Sequence, residues 1–196
     1  ATKNNLHETE RNALLISKIV TKSVCKPRLY PSKQDYLIIP KNIKYVCIAP
    51  FSVWKTKELP ISKWLELIQK LPQKTTIFLL GGKEGVQRCE NLKNKTSHPK
   101  IVIKAGQLSL LQSAALMSGA IMNYVNDSAP LHLASAMNAP VTAFFCSTVK
   151  EFGFTPLSDV SVIMEIQENL ACRPCGLHGK KTCPLGHFDC AYTIEL

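Results

Sequence analysis

The sequence predicts an α/β fold: a parallel β-sheet with helices packed against its faces. Three observations carry that prediction. Short apolar runs of strand type recur along the chain, segments of helical periodicity separate them, and glycine, proline or Asp-Ser marks the junctions. Strands spaced by helices in this way connect through right-handed crossovers, which makes the sheet parallel.

Each element has its own signal. Residues 6–24 carry helical periodicity and are followed by Pro27, Pro31 and Pro40, so residues 1–44 read as a helix and a proline-punctuated connector. YVCIAPF (45–51) is the first strand. ISKWLELIQKL (61–71) sets Trp64, Leu65, Ile68 and Leu71 on one helical face, and TTIFLLGG (75–82) is a strand closing in a glycine turn. A polar helix over 83–95, the strand IVIK (101–104), a helix over 109–118, the strand AIMNYV (120–125), a helix over 128–138 and the strand PVTAFF (140–145) continue the alternation. Residues 45–196 therefore form the sheet domain. No internal repeat or low-complexity tract interrupts it.

Composition narrows the function. With 196 residues, 45% of them hydrophobic and 19% charged, the chain can bury a sizeable core and is not a disordered segment. A net charge of +10 favours an anionic partner: a phosphorylated small molecule, nucleic acid or an acidic membrane surface. A solvated basic surface would give the same charge. The basic residues are scattered, without an aromatic-rich groove motif, which argues against nucleic acid. No apolar run approaches the ~20 residues of a membrane span. No charged-then-apolar leader opens the sequence, so a cytoplasmic location is expected.

In open α/β sheets ligands sit at the carboxyl ends of the strands, so three loops become candidates. The first holds Ser52, Lys55 and Lys57 ahead of Pro60. The second holds Gly81, Gly82 and Glu84, and the third holds Asn126, Asp127 and Ser128, with His132 four residues further on. None matches a dinucleotide or Walker-type phosphate fingerprint. A hydroxyl and a lysine in one loop, with helix N-terminal amides in another, make a diphosphate cradle. The simpler reading of Asp127–Ser128 is a helix cap worth ~1 kcal/mol.

The tail is of another kind. CRPCGLHGKKTCPLGHFDC holds Cys172, Cys175, Cys183 and Cys190, spaced C-x2-C-x7-C-x6-C, with His178 and His187 between them. Such clustering away from an oxidising compartment points to metal or redox chemistry, and on spacing a structural zinc and a set of packed, reduced thiols are equally open. Cys25, Cys47, Cys89 and Cys146 lie in element-like segments and read as ordinary core or surface residues.

Taken together, APFSVWKTKELPISKWLELIQKL, FLLGGKE, GQLSLLQSAALMSGA, NDSAPLHLASAMNAPVTAFFCST and the cysteine tail resemble the C-terminal half of glycosyltransferase family 9. These are the ADP-heptose:lipopolysaccharide heptosyltransferases, inverting enzymes built from two Rossmann-like domains in a GT-B fold. HETERNALL (7–15) is similar to the segment joining the two domains. The resemblance implies that Ser52, Lys57, Ser128 and Ala129 bind the donor diphosphate, Asp127 and His132 the donor sugar, and Gly82, Glu84 and Leu108 the adenosine. Ala129 stands where the family usually has glycine; alanine keeps the backbone N–H and adds a methyl. The family's chemistry needs no metal, which favours thiols over zinc at Cys172, Cys175, Cys183 and Cys190. Its catalytic base and its contacts to the lipopolysaccharide core acceptor lie in the N-terminal half, so this chain is expected to bind donor without turnover. The same resemblance places it at the inner face of the inner membrane, where a basic surface suits peripheral contact with anionic lipid. A basic zinc module for nucleic acid and a stand-alone nucleotide-binding protein are the alternatives.

Overall fold

Apolar residues of the strands divide by parity between two cores, as expected for a sheet covered on both faces. The computed structural model describes residues 6–20 and 26–196. Among these, six strands form one sheet: β1 (Tyr45–Ala49), β2 (Thr76–Leu79), β3 (Ile101–Ile103), β4 (Asn123–Asn126), β5 (Val141–Phe145) and β6 (Ser161–Glu165). All pairings are parallel, in the order β3-β2-β1-β4-β5-β6. This is the doubly wound order, whose topological switch falls between β1 and β4.

The helices are α1 (Glu8–Leu15), α2 (Lys33–Tyr36), α3 (Ile61–Lys70), α4 (Val86–Asn94), α5 (Leu110–Ser118), α6 (Ala129–Ala136) and α7 (Asp189–Tyr192). Val46 and Ile48 of β1 pack with Trp64 and Ile68 of α3 and Leu92 of α4 in one core. Trp64 meets Phe144 edge-on, with ring centroids 5.2 Å apart. Tyr45, Cys47 and Ala49 face the other way, toward Leu116 and Met117 of α5 and Leu131 and Ala134 of α6. Burying one such leucine or isoleucine side chain contributes about 1.5–3 kcal/mol, so the strands are anchored from both faces.

The predicted strands and the α3 to α6 helices are all present, mostly with shorter ends; β4 starts three residues late and runs one residue past the predicted end. The first part of the predicted 83–95 helix is a 3-10 turn at Lys83–Gly85. The predicted 6–24 helix ends at Leu15, and its residues 21–24, together with Cys25, lie outside the described ones. A capping box at His7 starts α1, with the imidazole accepting from the Thr9 N–H and Glu10 accepting from the His7 N–H. Glu8 N–H donates to Gly153 O and Arg11 to Phe152 O, so α1 is moored on the loop before β6. Strand β6 was not foreseen. It is an edge strand with Ser161 and Val162 exposed and no helix of matching pattern after it, so its apolar signal is weak. Helices α2 and α7 have four residues each, too few for a periodic signal. Among the described residues no helix is long and apolar enough to cross a membrane.

Candidate functional site

The switch point opens a cavity of about 580 Å³ at the carboxyl ends of β1, β2 and β4. Register explains the position. Ala49 pairs with Val125, so the loop after β1 and the entry to α6 leave the sheet side by side. Of the sequence-predicted residues, Ser52, Lys57, Gly82, Glu84, Leu108, Asp127, Ser128 and Ala129 all line this cavity. The three candidate loops therefore converge.

At its centre Lys57 Nζ is 2.7 Å from Asp127 Oδ2, with the two side chains only 15% and 6% exposed. The same oxygen accepts a hydrogen bond from the Thr148 hydroxyl at 2.7 Å. Asp127 Oδ1 has no partner among the described residues, which leaves it for a ligand hydroxyl. A pair this buried gains from Coulomb attraction roughly what it loses in desolvation. It contributes little to stability and instead fixes the positions of two charges.

Asp127 and Ser128 do not cap the helix. The Ser128 backbone is extended (φ −160°, ψ 177°), and its hydroxyl donates to Asn126 O at 3.3 Å. Asp127 spends its carboxylate on Lys57 and Thr148. Pro130 lies in the first turn, where a missing N–H costs the helix nothing. Among the described residues the N–H groups of Ser128 and Ala129 have no backbone acceptor, and Ala129 is exposed. The N-terminus of α6 thus presents free donors and a positive dipole end to the cavity. Ala134 and Ser135 are buried, as the small-residue pattern implied; Ser135 Oγ donates to Leu131 O and accepts from Leu157 N–H. Asn126 is structural: its Oδ1 accepts from Leu59 N–H at 2.8 Å and ties the lysine loop to β4.

Two expected residues fall elsewhere. His132 does not line the cavity. It lies edge-on to Phe154, centroids 6.3 Å apart, because the α6 turn carries it to the next face of the helix. The residue is exposed overall, yet partial desolvation by the surrounding protein lowers its pKa below the usual histidine value. Asp127 opposes that shift, while His7 and Lys57 reinforce it. Lys55 points away and pairs with Glu58 at 2.7 Å.

Glu58 and Arg88 were missed. Glu58 is 3% exposed and accepts from Ser52 N–H (3.0 Å), Lys55 (2.7 Å) and Arg88 Nη1 (2.8 Å). Burial works to raise its pKa, but the hydrogen bonds from Arg88, Lys55 and Ser52 outweigh it and hold the carboxyl below its ordinary value. Arg88 stacks over the Phe51 ring at 3.8 Å and borders the cavity. A carboxylate directly after two lysines in KTKELP was the available signal for Glu58. Arg88, one polar residue on a polar helix, gave none. On the cavity's far side, the Glu84 carboxylate folds across Gly82 into the space a Cβ would fill. A side chain at position 82 would displace that carboxylate, the far end of an exposed and flexible residue.

Cys172, Cys175 and Cys183 border a separate cleft of about 390 Å³. Cys175 Sγ donates to Cys172 O, Cys172 Sγ is 3.9 Å from His187 Nε2, and burial pushes the Cys190 thiol up to about 12. Among the described residues no three His, Cys, Asp or Glu side chains converge on a metal position.

The model of the family described as glycosyltransferase family 9 (heptosyltransferase) matches residues 17–187. The fold is similar to that of E. coli ADP-heptose lps heptosyltransferase II, with a TM-score of 0.67 and 17% identity over 81% of this chain and 53% of that one. It is also similar to E. coli heptosyltransferase WaaC with ADP-2-deoxy-2-fluoro heptose, at TM-score 0.60 and 20% identity over 82% and 50%. A third is the dodecameric iron-containing heptosyltransferase TibC in complex with ADP-D-β-D-heptose, at TM-score 0.57 and 19% identity over 81% and 44%; TibC is from enterotoxigenic E. coli H10407. At these identities the likeness establishes the fold. The chain spans about half the length of these solved structures. No curated protein matches it significantly.

Proposed function

The chain belongs to glycosyltransferase family 9, and on that premise we propose that its cavity binds ADP-heptose as the donor half of an inverting heptosyltransferase acting on the lipopolysaccharide inner core. The observation that carries this reading is the Lys57–Asp127 pair beside the uncapped N-terminus of α6. Transfer of a sugar from a nucleotide diphosphate separates charge, because the anomeric C–O bond breaks and its electrons pass to the leaving diphosphate. Lys57 supplies a positioned positive charge there, and the Ser52 hydroxyl and the Ser128 and Ala129 N–H groups supply further donors. Asp127 accepts from hydroxyls of the sugar through its free oxygen. The adenosine lies toward Gly82, Glu84 and Leu108, where the cavity is largely apolar. His132 has no direct place in this arrangement; its role toward the sugar would be through the electrostatics of Asp127.

In this reading the acceptor hydroxyl and its base come from the other half of the full-length enzyme, and the chain alone binds donor without turnover. The charge of +10 supports peripheral contact with anionic lipid at the cytoplasmic face in this reading. TibC is iron-containing; the transfer step proposed here draws on Lys57, Ser52 and the α6 amides and routes nothing through a metal.

Calorimetric titration with ADP tests the reading. Saturable binding is expected, and Lys57→Ala removes one charge-assisted contact worth about 1.5–3 kcal/mol, a loss of roughly 10–150-fold. Equal affinity for both proteins would take Lys57 out of the site. Competition by an oligonucleotide rather than ADP would favour the nucleic-acid alternative.

A further inference from the structure

The cysteine-rich tail has no side chain in the central cavity, yet it touches the backbone on both sides of the Lys57–Asp127 pair. Arg173 lies inside it, with its side chain 9% exposed. Its Nε donates to Cys146 O at 2.8 Å, and its Nη2 reaches Phe145 O at 3.2 Å, Thr148 O at 2.7 Å and Glu165 Oε2 at 2.7 Å. Phe145 ends β5, and Cys146 and Thr148 lie in the loop that leaves it. Thr148, held there by its carbonyl, is the residue whose hydroxyl donates to Asp127.

The second contact is on the lysine side. Thr56, next to Lys57, donates its N–H to Lys180 O at 3.0 Å and accepts the Lys180 N–H on Oγ1 at 2.7 Å. Gly179 adopts φ +76°, and a Cβ there would sit 3.0 Å from Thr56 Oγ1 and 3.2 Å from Lys57 Cγ. Any larger residue would be strained and would press on the lysine turn.

We propose that the tail is the positioning element of the donor site: Arg173 sets Asp127 through Thr148, and the Gly179–Lys180 backbone sets Lys57 through Thr56. Neither contact reaches the donor, so Arg173 and Gly179 are positioning residues. The inference rests on the donor reading for its consequence, not for its geometry. A planar guanidinium serves three carbonyls and a carboxylate at once; an ammonium cannot reproduce that fork.

The two contacts give separable results in the whole chain. Arg173→Lys weakens ADP-heptose roughly tenfold, about what one charge-assisted contact is worth, and leaves ADP within about twofold. In a Thr148→Val background it has no further effect, because both changes act on one path. Gly179→Ala weakens both ligands alike. Amide hydrogen exchange supplies a readout without ligand: Arg173→Lys speeds exchange at the Asp127 N–H, which donates to Phe144 O, and leaves the Ile77 amide of β2 unchanged. Exchange quickened equally at Asp127 and Ile77, or unchanged at both, overturns the proposal. So does an additive Thr148→Val, Arg173→Lys double variant. If the unmodified chain binds neither nucleotide, the donor reading fails, while the exchange result still decides for or against the brace.

Discussion

Replacing Asp127 with alanine should separate the two ligands. In the free site its carboxylate holds Lys57 Nζ at 2.7 Å and competes with any diphosphate for that charge. Removing it frees Lys57, so ADP binds as well as before or better. ADP-heptose gains the same freed lysine but loses the acceptor for its sugar hydroxyls. A hydrogen bond to a charged group is worth about 1.5–3 kcal/mol, so the sugar nucleotide should lose roughly 10–150-fold relative to ADP. Stability changes too, because Lys57 stays only 15% exposed and the Thr148 hydroxyl loses its acceptor. At about 1–3 kcal/mol for these orphaned groups, and 2–4 °C per kcal/mol for a chain of this size, Tm should drop by roughly 2–12 °C. Calorimetry with both ligands and a melting curve on one variant decide the matter. Equal losses for ADP and ADP-heptose would refute the sugar contact and restore Asp127 to a purely structural role.

Other outcomes follow from neighbouring residues. Glu58→Gln removes the charge that gathers Ser52, Lys55 and Arg88. With the two cations partly solvated the expected loss is about 2 kcal/mol, or roughly 4–8 °C in Tm. Because the folded-state pKa of Glu58 lies below its unfolded value of 4.5, its stabilising contribution is present above that value. It is lost as pH falls through the folded-state pKa, so denaturation profiles of Glu58→Gln should be flatter on the acid side; parallel profiles would contradict the assignment. Ala129→Gly opens the approach to the α6 amides: ADP should bind several-fold tighter by calorimetry while Tm falls slightly, from a helix penalty of about 0.5–1 kcal/mol. Unchanged affinity would show that the methyl does not obstruct the site.

The sheet was legible because its strands are apolar on both faces and its helices announce themselves at 61–71 and 109–118. Edge strand β6 was not, since Ser161 and Val162 face solvent and none of its five residues is fully buried. Within the site, Ser52, Lys57, Asp127 and Ser128 were legible because ligands of such sheets gather at strand ends, and the residue types suited a diphosphate. Their mutual arrangement was not. Sequence spacing cannot say that Asp127 turns to Lys57 and Thr148 instead of to the helix, which the pairing of β4 with β1 and β5 determines. The same limit applies to His132, which its helical offset carried to Phe154. Arg173 and Thr148 were hidden because the contacts that tie them together are long-range: Arg173 reaches three backbone carbonyls at least 25 residues away, and Thr148 reaches Asp127 from 21 residues away.

Central to the account is one nucleotide site at the β1–β4 switch, and an ADP titration followed by amide NMR on the isotope-labelled chain tests it most directly. Saturable shifts confined to residues 52–57, 81–84, 108 and 127–129 are the predicted result. No saturable change, or shifts gathered on the cleft of Cys172, Cys175 and Cys183, would contradict it.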